Sequence, residues 1–345
     1  MNAICQEDIF NILNKNYDLL SQLDGKRILI TGATGLIGYM LGVTIAEYGK
    51  TCVNPPKLIA FVRDKSKAEK MYADYMPEYV QLLVGCVENE IKFQDKIDYI
   101  VHGASVTSSK DFVEKPVDVI RTAVNGTWNL LELASKRDCS SFVYLSSMEV
   151  YGAPTTEDRV FENGGAVIDT TSVRSSYSES KRMCENLACS YFEQYKVPVK
   201  IARLTQTMGP SVSYSDNRVF AEFVRCAIEE KDIVLHTKGE TKRSYLYVTD
   251  AVTAILTILL HGENGKAYNV ANEETFCSIY EMAKLVSEKI AGNKIAVKIE
   301  MADEKKFGYN PVMKMNLDTT RLKELGWCAT VALEEMFCRL YEGMK

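Results

Sequence analysis

The chain has 345 residues, of which 46% are hydrophobic and 25% are charged, and its formal net charge is -5. This length allows a large buried core and more than one lobe. The acidic balance and the lack of a basic stripe argue against nucleic-acid binding. No apolar run reaches the ~18 to 20 residues that cross a bilayer, so no membrane contact is predicted. The ten cysteines form no CxxC pair, which predicts a reduced, cytoplasmic protein without a metal site.

Residues 1–24 form an N-terminal extension in which charged and amide side chains are interspersed with apolar ones. The segment lacks the basic start and the continuous apolar block of a signal peptide. It is predicted to be an amphipathic helix that packs against the body of the protein or against a partner subunit.

Short apolar runs alternate with helical stretches in residues 25–205. Near-continuous apolar strands between helices are typical of a parallel sheet that is covered on both faces. Long helices are predicted at about 113–134 and 176–194. The predicted strands are residues 27–30, 58–62, 80–84, 99–101, 142–145 and 199–204.

The pattern becomes less regular after residue 205. A smaller α+β substrate-binding lobe is predicted in most of residues 206–345, and about 243–275 is predicted to return to the first domain. Within this part, helices are predicted at 220–228, 279–290 and 318–325, and a strand at 295–300.

A glycine-rich turn, TGATGLIG, follows the first strand directly and opens the first helix. Its first two glycines let the backbone turn tightly and approach a pyrophosphate, which then lies at the positive end of the helix. The third glycine lets that helix pack closely on the strand. This strand–turn–helix setting predicts a doubly wound, parallel-sheet α/β domain of the Rossmann type that binds a dinucleotide. The predicted contacts are Gly32, Thr34, Gly35, Leu36, Ile37 and Gly38.

Arg63 and Asp64 directly follow the second predicted strand, where such folds read the adenosine ribose. Asp64 could bond both ribose hydroxyls, which favours NAD. Arg63 could neutralise a 2'-phosphate, which favours NADP, or it could stack on adenine. Either side chain could equally be a solvated loop charge, so the sequence leaves NAD and NADP open.

Tyr177 and Lys181 stand four residues apart in YSESK, which places both on one face of a predicted helix. An ammonium beside a phenol favours the phenolate and lowers the phenol pKa from its usual ~10. Tyr177 is therefore a candidate general base toward a substrate hydroxyl. An incidental surface pair is the alternative, but the dinucleotide turn upstream favours the catalytic interpretation.

Ser147 and Glu149 lie in SSMEVYG, directly after the strand predicted at 142–145. Folds of this kind place their chemistry at the carboxyl ends of parallel strands. Ser147 is therefore predicted to hydrogen-bond the hydroxyl that Tyr177 deprotonates. Glu149 is a candidate second acid or base, and the alternative is an exposed turn carboxylate.

Together these segments resemble the extended short-chain dehydrogenase/reductase family, in particular its NAD-dependent epimerase/dehydratase group, which acts on nucleotide sugars. The resemblance runs from about Gly25 to Trp327 and follows the family's order of motifs. Beside the three motifs above, it rests on HGAS (His102 to Ser105), RLTQTMGP (Arg203 to Pro210), RSYLYVTD (Arg243 to Asp250), YNVAN (Tyr268 to Asn272) and LGW (Leu325 to Trp327).

The resemblance implies roles for the matching residues. Ser147, Tyr177 and Lys181 match the family's catalytic set, and Lys181 would also bond the nicotinamide ribose. The segment beneath the cofactor would be Gly103, Ala104 and Ser105. The implied substrate-side residues are Ser147, Met148, Gln206, Arg218 and Arg243.

Two arginines are implied on the substrate side, and several positions depart from the family pattern. Arg243 matches the clamp on the diphosphate, for which a guanidinium fork is suited. For both arginines the alternative to a substrate contact is a surface salt bridge, and this alternative carries more weight for Arg218 than for Arg243. Cys86 replaces a common acidic adenine contact, and Gln206 replaces an asparagine that faces the substrate. His102 is expected to be structural.

The resemblance implies a reaction in which NAD oxidises C4 of a nucleotide sugar, a transient 4-keto sugar forms, and the same cofactor is recycled. Met148 replaces the acid of typical 4,6-dehydratases, whereas decarboxylases and some dehydratases keep a glutamate like Glu149. An epimerase or decarboxylase is therefore expected, with dehydratase still open. The alternatives are an NADPH-dependent carbonyl reductase and a non-catalytic dinucleotide sensor.

A homodimer through the helices at 113–134 and 176–194 is also implied.

Overall fold

The computed structural model describes residues 1–301 and 312–345. In chain order the strands are β1 (Arg27–Thr31), β2 (Lys57–Val62), β3 (Val80–Val84), β4 (Tyr99–His102), β5 (Ser141–Ser147), β6 (Arg159–Val160), β7 (Val199–Leu204), β8 (Gln206–Met208), β9 (Ile233–Leu235), β10 (Lys242–Tyr247), β11 (Ala267–Val270), β12 (Asn272–Ser278), β13 (Val297–Ile299) and β14 (Lys314–Leu317).

The helices are α1 (Ala3–Lys15), α2 (Tyr17–Ser21), α3 (Leu36–Gly49), α4 (Lys65–Met71), α5 (Ser109–Glu114), α6 (Pro116–Ser135), α7 (Ser176–Tyr195), α8 (Val219–Ile228), α9 (Val248–His261), α10 (Ile279–Leu285), α11 (Thr320–Lys323) and α12 (Leu333–Met344). Single 3-10 turns lie at Ala73–Tyr75, Met148–Tyr151 and Val173–Ser175, and a π-helical turn at Val286–Ile290. Across the described residues, no helix combines the length and the apolar character that a bilayer crossing requires.

The main sheet has seven parallel strands in the order β3, β2, β1, β4, β5, β7 and β11. Every residue of β5, an interior strand, is buried, as expected where helices cover both faces. The strand order reverses between β1 and β4, and sheets of this kind bind ligands beyond the strand ends at that point. The predicted doubly wound fold is confirmed.

A smaller lobe contains a second sheet in the order β12, β10, β14 and β6, with β8 paired to β10, and a two-stranded sheet of β13 and β9. Ser147 at the end of β5 pairs in register with Leu204 at the end of β7. Gln206 follows two residues later and pairs with Tyr245 of β10. The second sheet therefore begins at the strand ends of the main sheet and places its own residues, including Arg243, beside them.

The predicted boundaries differ from the structure mainly in this lobe. The return segment predicted at 243–275 is shorter, because α9 and β11 join the main domain whereas β10 and β12 lie in the second sheet. The predicted strand at 295–300 is only β13, and the predicted helix at 279–290 ends in a π-helical turn. The predicted helix at 318–325 is only α11, and its first residue, Thr320, donates its N–H to the Asp318 carboxylate.

The N-terminal helix α1 packs against the body of the protein. Asn2 caps it by accepting a hydrogen bond from the Cys5 N–H, and Ile9, 4% exposed, belongs to the main core. The buried Asp8 carboxylate accepts hydrogen bonds from the Tyr247 hydroxyl at 2.7 Å and from Arg339 Nη1 at 2.9 Å. These contacts bind α1 to the start of α9 and to α12, so the extension is part of the folded core.

Replacing Ile9 with alanine tests this docking. Ile9→Ala should lower the free energy of unfolding by about 2 to 4 kcal/mol, because it leaves a cavity under α1. The matched control is Phe10→Ala on the next residue, which is 62% exposed and should cost less than about 0.5 kcal/mol. Urea denaturation measures both. Equal effects of the two variants would contradict the docking of α1.

Candidate active site

The glycine-rich turn between β1 and α3 is packed too closely for side chains at two positions. A Cβ on Gly38 would lie 2.3 Å from the Gly32 carbonyl oxygen, and one on Gly32 would lie 2.9 Å from the Gly103 carbonyl oxygen. Gly32 also has φ +71°, which only glycine adopts without strain. The turn therefore requires glycine at both positions, as the sequence motif predicts.

The start of α3 has the properties of an anion site. Gly35 precedes the helix in extended conformation, and its cap position has no side-chain acceptor. The first N–H groups of a helix have no intrahelical acceptor and lie at its positive end. The N–H groups of Leu36, Ile37 and Gly38 are thus available to a pyrophosphate, with Thr34 in the turn before them.

Thr31 connects the glycine-rich turn after β1 to the loop after β4, and these two loops border the crevice at the switch point of the sheet. Its Oγ1 accepts hydrogen bonds from the N–H groups of Gly103 and Ala104, both at 3.1 Å, and lies 2.7 Å from His102 Nδ1. His102 Nε2 lies 3.2 Å from Thr127 Oγ1, and burial, followed by the Lys181 charge, lowers the pKa of His102 to about 3. His102 is therefore a neutral link between β1, β4 and α6, and the loop that continues through Ser105 is fixed against the glycine turn.

Arg63 and Asp64 lie at the end of β2, next to this crevice, and both are exposed. The Asp64 carboxylate accepts a hydrogen bond from the Lys67 N–H at 2.9 Å and caps α4. One of its oxygens is therefore engaged by the helix. This arrangement places the predicted ribose-reading residues at the right strand end, while the choice between a ribose hydroxyl and a 2'-phosphate stays open.

Ser147, Tyr177 and Lys181 come together at the carboxyl end of β5. Ser147 ends β5, and Tyr177 is the second residue of α7. Tyr177 is 8% exposed, and the Ser147 side chain acts to lower the pKa of its hydroxyl. Lys181 Nζ donates to the Leu145 carbonyl at 2.7 Å and lies 4.8 Å from the centre of the Tyr144 ring. In this conformation the ammonium holds the end of β5 rather than the Tyr177 hydroxyl.

Burial shifts the pKa values of both groups toward their neutral forms. The pKa of Tyr177 is raised well above its ordinary value, first by burial and then by the negative charge of Glu149. The Ser147 hydrogen bond and the Arg174 charge act in the opposite direction. Burial lowers the pKa of Lys181 to about 8. A positive charge brought near Tyr177 would favour its phenolate.

Glu149 does not lie free in solvent but belongs to a cluster beside Tyr177. Arg174 Nη1 and Nη2 donate to its two carboxylate oxygens at 3.2 and 3.3 Å, and the Ser178 hydroxyl donates at 3.2 Å. The Arg174 guanidinium lies 4.9 Å above the centre of the Phe112 ring. Phe112 in turn stacks on Tyr177, with ring centres 4.3 Å apart. The sequence analysis did not predict Arg174 or Phe112 as site residues. Arg174 could have been found from its position three residues before Tyr177 of the YxxxK motif.

Gln206 and Arg243 present buried atoms that have no partner among the described residues. These are Gln206 Oε1 and Arg243 Nε, which lie on the neighbouring strands β8 and β10. An unpaired buried polar atom is costly unless a ligand or water satisfies it. Both residues lie in the second sheet on the lobe side of Ser147, where these two atoms are enclosed and unpaired.

Met148 and Arg218 are already engaged within the protein. Met148 is 3% exposed and packs in a small apolar cluster of the lobe, where its sulfur accepts from the Thr205 hydroxyl at 3.3 Å. Its side chain lies beneath the site rather than on its surface. Arg218 Nη2 donates to Asp216 at 2.7 Å, and Nη1 donates to the Thr207 carbonyl. This is the salt bridge that the sequence left as its alternative.

A buried ion pair joins the three segments around Ser147, which are β5, α7 and β7. Arg203 on β7 donates to both carboxylate oxygens of Glu185, at 2.7 to 3.2 Å. Glu185 lies one turn beyond Lys181 on α7 and accepts from the Ser146 hydroxyl at 2.5 Å. Arg203 Nη1 also donates to the Tyr151 hydroxyl at 2.8 Å. The pair thus joins β5, α7 and β7 at the level of Ser147.

Comparison with known families agrees with this geometry. The model of the NAD dependent epimerase/dehydratase family matches residues 28–271, which include the glycine turn, Ser147, Tyr177 and Lys181. The chain belongs to the NAD-dependent epimerase/dehydratase family. The resemblance expected from its motifs is confirmed.

Relatives of this family member include plant decarboxylases. UDP-glucuronic acid decarboxylase 2 of Arabidopsis thaliana is 31% identical over 312 residues, which are 90% of this chain and 66% of the relative. The chain thus spans slightly less than two thirds of that protein. UDP-glucuronic acid decarboxylase 6 of the same plant is also 31% identical, over 90% of this chain and 86% of the relative.

Solved structures share the fold. The UDP-glucose 4-epimerase of Thermotoga maritima, determined with UDP-glucose, has a TM-score of 0.77 and 22% identity and covers 92% of this chain and 98% of its own. The dTDP-glucose 4,6-dehydratase DesIV of Streptomyces venezuelae has a TM-score of 0.75 and 19% identity, over 92% and 96%.

Replacing Lys181 with methionine tests its burial. Because the folded pKa of Lys181 is about 8 and its ordinary value is 10.5, its charge disfavours the folded state below pH 8. This cost is lost as the pH rises toward 10.5. Lys181→Met should therefore stabilise the ligand-free protein by about 1 to 2 kcal/mol at pH 7, and less at pH ~9.5.

Urea denaturation at the two pH values measures this effect, with the exposed Lys70→Met as the control. A loss of stability in Lys181→Met at pH 7, or a gain that does not change with pH, would contradict the lowered pKa.

Proposed function

We propose that this chain is a nucleotide-sugar-modifying enzyme that works through a transient 4-keto sugar, as an epimerase or a decarboxylase. The observation that carries the proposal is the meeting of Ser147, Tyr177 and Lys181 at the strand end beside the glycine turn. The names of the relatives, which are decarboxylases of UDP-glucuronic acid, support the substrate class.

Tyr177 is the proposed base for the C4 hydroxyl of the sugar. Ser147 hydrogen-bonds the same oxygen and orients it, since Ser147 ends β5 and its side chain acts on the Tyr177 hydroxyl. Lys181 favours the phenolate once its ammonium turns from the Leu145 carbonyl toward the Tyr177 side of the site. Such acid–base assistance contributes typically about 10²- to 10⁴-fold to the rate.

NAD is the proposed cofactor. The glycines that admit no Cβ and the open N–H groups at the start of α3 suit a pyrophosphate, and the family model is that of an NAD-dependent family. When bound, NAD supplies the acceptor for the C4 hydride and then returns it to the sugar. The chain's own residues bind the pyrophosphate at the glycine turn, fix the loop at Gly103 and move the proton at Tyr177.

The residues beside Ser147 favour epimerisation or decarboxylation over 4,6-dehydration. Dehydration needs an acid that protonates the leaving hydroxyl, and the thioether of Met148 cannot donate a proton. In decarboxylation the bond between C5 and the carboxylate breaks, carbon dioxide leaves, and the 4-keto oxygen takes the electron pair as an enolate. C5 then takes up one proton from solvent, so no group has to protonate a leaving hydroxyl. Epimerisation needs only that the keto sugar be reduced on its opposite face.

The experiment that tests the proposal identifies cofactor and product in one preparation. Denatured protein should release NAD by mass, and intact protein should convert one of a panel of UDP-, dTDP-, GDP- and CDP-sugars. Turnover should leave no net reduced nicotinamide. The product keeps the substrate mass in an epimerase and loses carbon dioxide in a decarboxylase. Turnover only with added NADPH, with net oxidation, would overturn the proposal in favour of a carbonyl reductase.

Replacing the Tyr177 hydroxyl should abolish this turnover. Tyr177→Phe should lower kcat by about 10²- to 10⁴-fold, because the proton acceptor is removed. Tyr195→Phe on the same helix, where Tyr195 is 55% exposed, is the matched control and should keep full turnover. Retained turnover in Tyr177→Phe would mean that another group takes the proton.

A cytoplasmic homodimer is also proposed. All ten cysteines lie in the described residues and are free thiols, which suits a reducing compartment. The paired helices α6 and α7 present exposed apolar side chains, and an exposed apolar patch of this kind favours association. Its members are Val117, Ile120, Trp128 and Met183, which are 44 to 63% exposed.

Charged substitutions on this face should separate the dimer. Ile120→Glu combined with Met183→Glu should convert the dimer to monomer at micromolar concentration, because two charges would be buried without partners. Val53→Glu on a fully exposed loop is the control. Light scattering after gel filtration gives the masses, and a wild-type monomer would refute the proposal.

A further inference from the structure

The contact between Arg174 and Glu149 differs from that of an ion pair built only for stability. Its two N···O distances are 3.2 and 3.3 Å, longer than the ~2.7 to 2.9 Å usual for charge-assisted hydrogen bonds. The buried pair of Arg203 and Glu185 closes to 2.7 Å. The side chains of Arg174 and Glu149 are also 21% and 22% exposed. The pair is therefore loosely closed and accessible.

Arg174 keeps donors for a ligand. A guanidinium has five N–H donors, and the contacts to Glu149 use two of them. Phe112 supports one face of the guanidinium at 4.9 Å. Because Phe112 stacks on Tyr177 on its other side, the position of Arg174 is linked to that of the proposed base.

The cluster lies beside the position of C4. The C4 hydroxyl must reach both Ser147 and Tyr177, and Glu149 follows Ser147 by two residues while Arg174 precedes Tyr177 by three. Both charges act on the Tyr177 hydroxyl. The ring carbons next to C4 are C3 and C5. Of their substituents only C6, when it is a carboxylate, carries a charge that a guanidinium would pair.

We infer that Arg174 is the specificity-determining residue for a C6 carboxylate, so that the substrate is a nucleotide-activated uronic acid. Its guanidinium lies between Glu149 and the sugar carboxylate and donates to both. This inference rests on the proposed function. It adds the sugar class and the residue that selects it, and it holds for an epimerase and for a decarboxylase.

The charges of Arg174 and Glu149 explain why the site would prefer a sugar with a C6 carboxylate over one with a neutral C6 hydroxyl. A carboxylate placed beside Glu149 alone would be repelled, and the fixed guanidinium between them removes that repulsion. A neutral C6 hydroxyl gains only a hydrogen bond and leaves the pair with Glu149 unchanged. The site therefore prefers the uronate through a charge that it already holds in place.

The test compares two ligands that differ only at C6, UDP-glucuronate and UDP-glucose, with UDP as the reference. Their dissociation constants are measured by calorimetry on Tyr177→Phe protein, which cannot turn over, with and without Arg174→Gln. The ratio of affinities for UDP-glucuronate over UDP-glucose should exceed one and should fall about 10- to 100-fold in Arg174→Gln. Arg174→Lys, which keeps the charge and loses the fork, should give an intermediate ratio.

The matched control is Arg182→Gln. Arg182 lies on the same helix as Tyr177 and pairs with Glu179 at 3.2 Å, but its side chain is 43% exposed. This variant should keep the wild-type ratio. Thermal unfolding and UDP affinity show whether Arg174→Gln is folded. If it is not, the same comparison of affinities is made with Arg174→Lys.

The outcomes separate the two proposals. If UDP and both UDP-sugars fail to bind, and the panel of nucleotide sugars shows no turnover, the proposed function itself fails. If UDP-glucose binds as well as UDP-glucuronate, or if Arg174→Gln weakens both ligands equally, only the inference about Arg174 fails. A selective loss of UDP-glucuronate supports it, whichever product the active enzyme forms.

Discussion

The close approach of two backbones at the switch point of the sheet is the constraint on which the rest of the site depends. Thr31 at the end of β1 holds the Gly103 and Ala104 N–H groups through one hydroxyl. A Cβ on Gly32 would collide with the Gly103 carbonyl. Because β1 leads into the glycine turn and β4 leads into the loop opposite, this contact sets the width of the crevice between them. It also aims the start of α3 at that crevice, where a pyrophosphate can be held.

Two arginine–glutamate pairs lie near that crevice, and they differ in how far they are buried. Arg203 and Glu185 are closely paired and mostly buried, and their further bonds to Ser146 and Tyr151 fix β5 against α7 and β7. Removing one partner of such a pair leaves a buried charge, which is strongly destabilising. Arg174 and Glu149 are more open. The first pair joins the segments that carry Ser147 and Tyr177, whereas the Arg174 guanidinium keeps N–H donors beyond the two that it gives to Glu149.

Local patterns explain what the sequence could predict. The apolar strands predicted at 58–62 and 199–204 are almost wholly buried, while the strand at 80–84 lies at the sheet edge and is only partly buried. Such apolar runs can be recognised without tertiary information. β11 was missed because Ala267–Val270 is short and contains Asn269, whose side-chain amide donates to carbonyls of residues 160 and 318. The YxxxK spacing likewise predicted Tyr177 and Lys181. The pairing of Arg174 with Glu149 and Phe112 could not be predicted, since it depends on three segments meeting in space.

The burial that assembles the proposed base also keeps it inactive. Tyr177 lies under Phe112 and beside Glu149, so its pKa is raised, while the pKa of Lys181 falls to about 8. The phenol is therefore protonated at neutral pH, and Lys181 is bonded to the Leu145 carbonyl. A positive charge added beside Tyr177 would lower the pKa of its phenol, in the same direction as the Ser147 hydrogen bond and the Arg174 charge. The same enclosure strengthens that effect, because charges interact more strongly where water is excluded. We therefore expect removal of the Tyr177 proton to depend on a positive charge placed beside its hydroxyl.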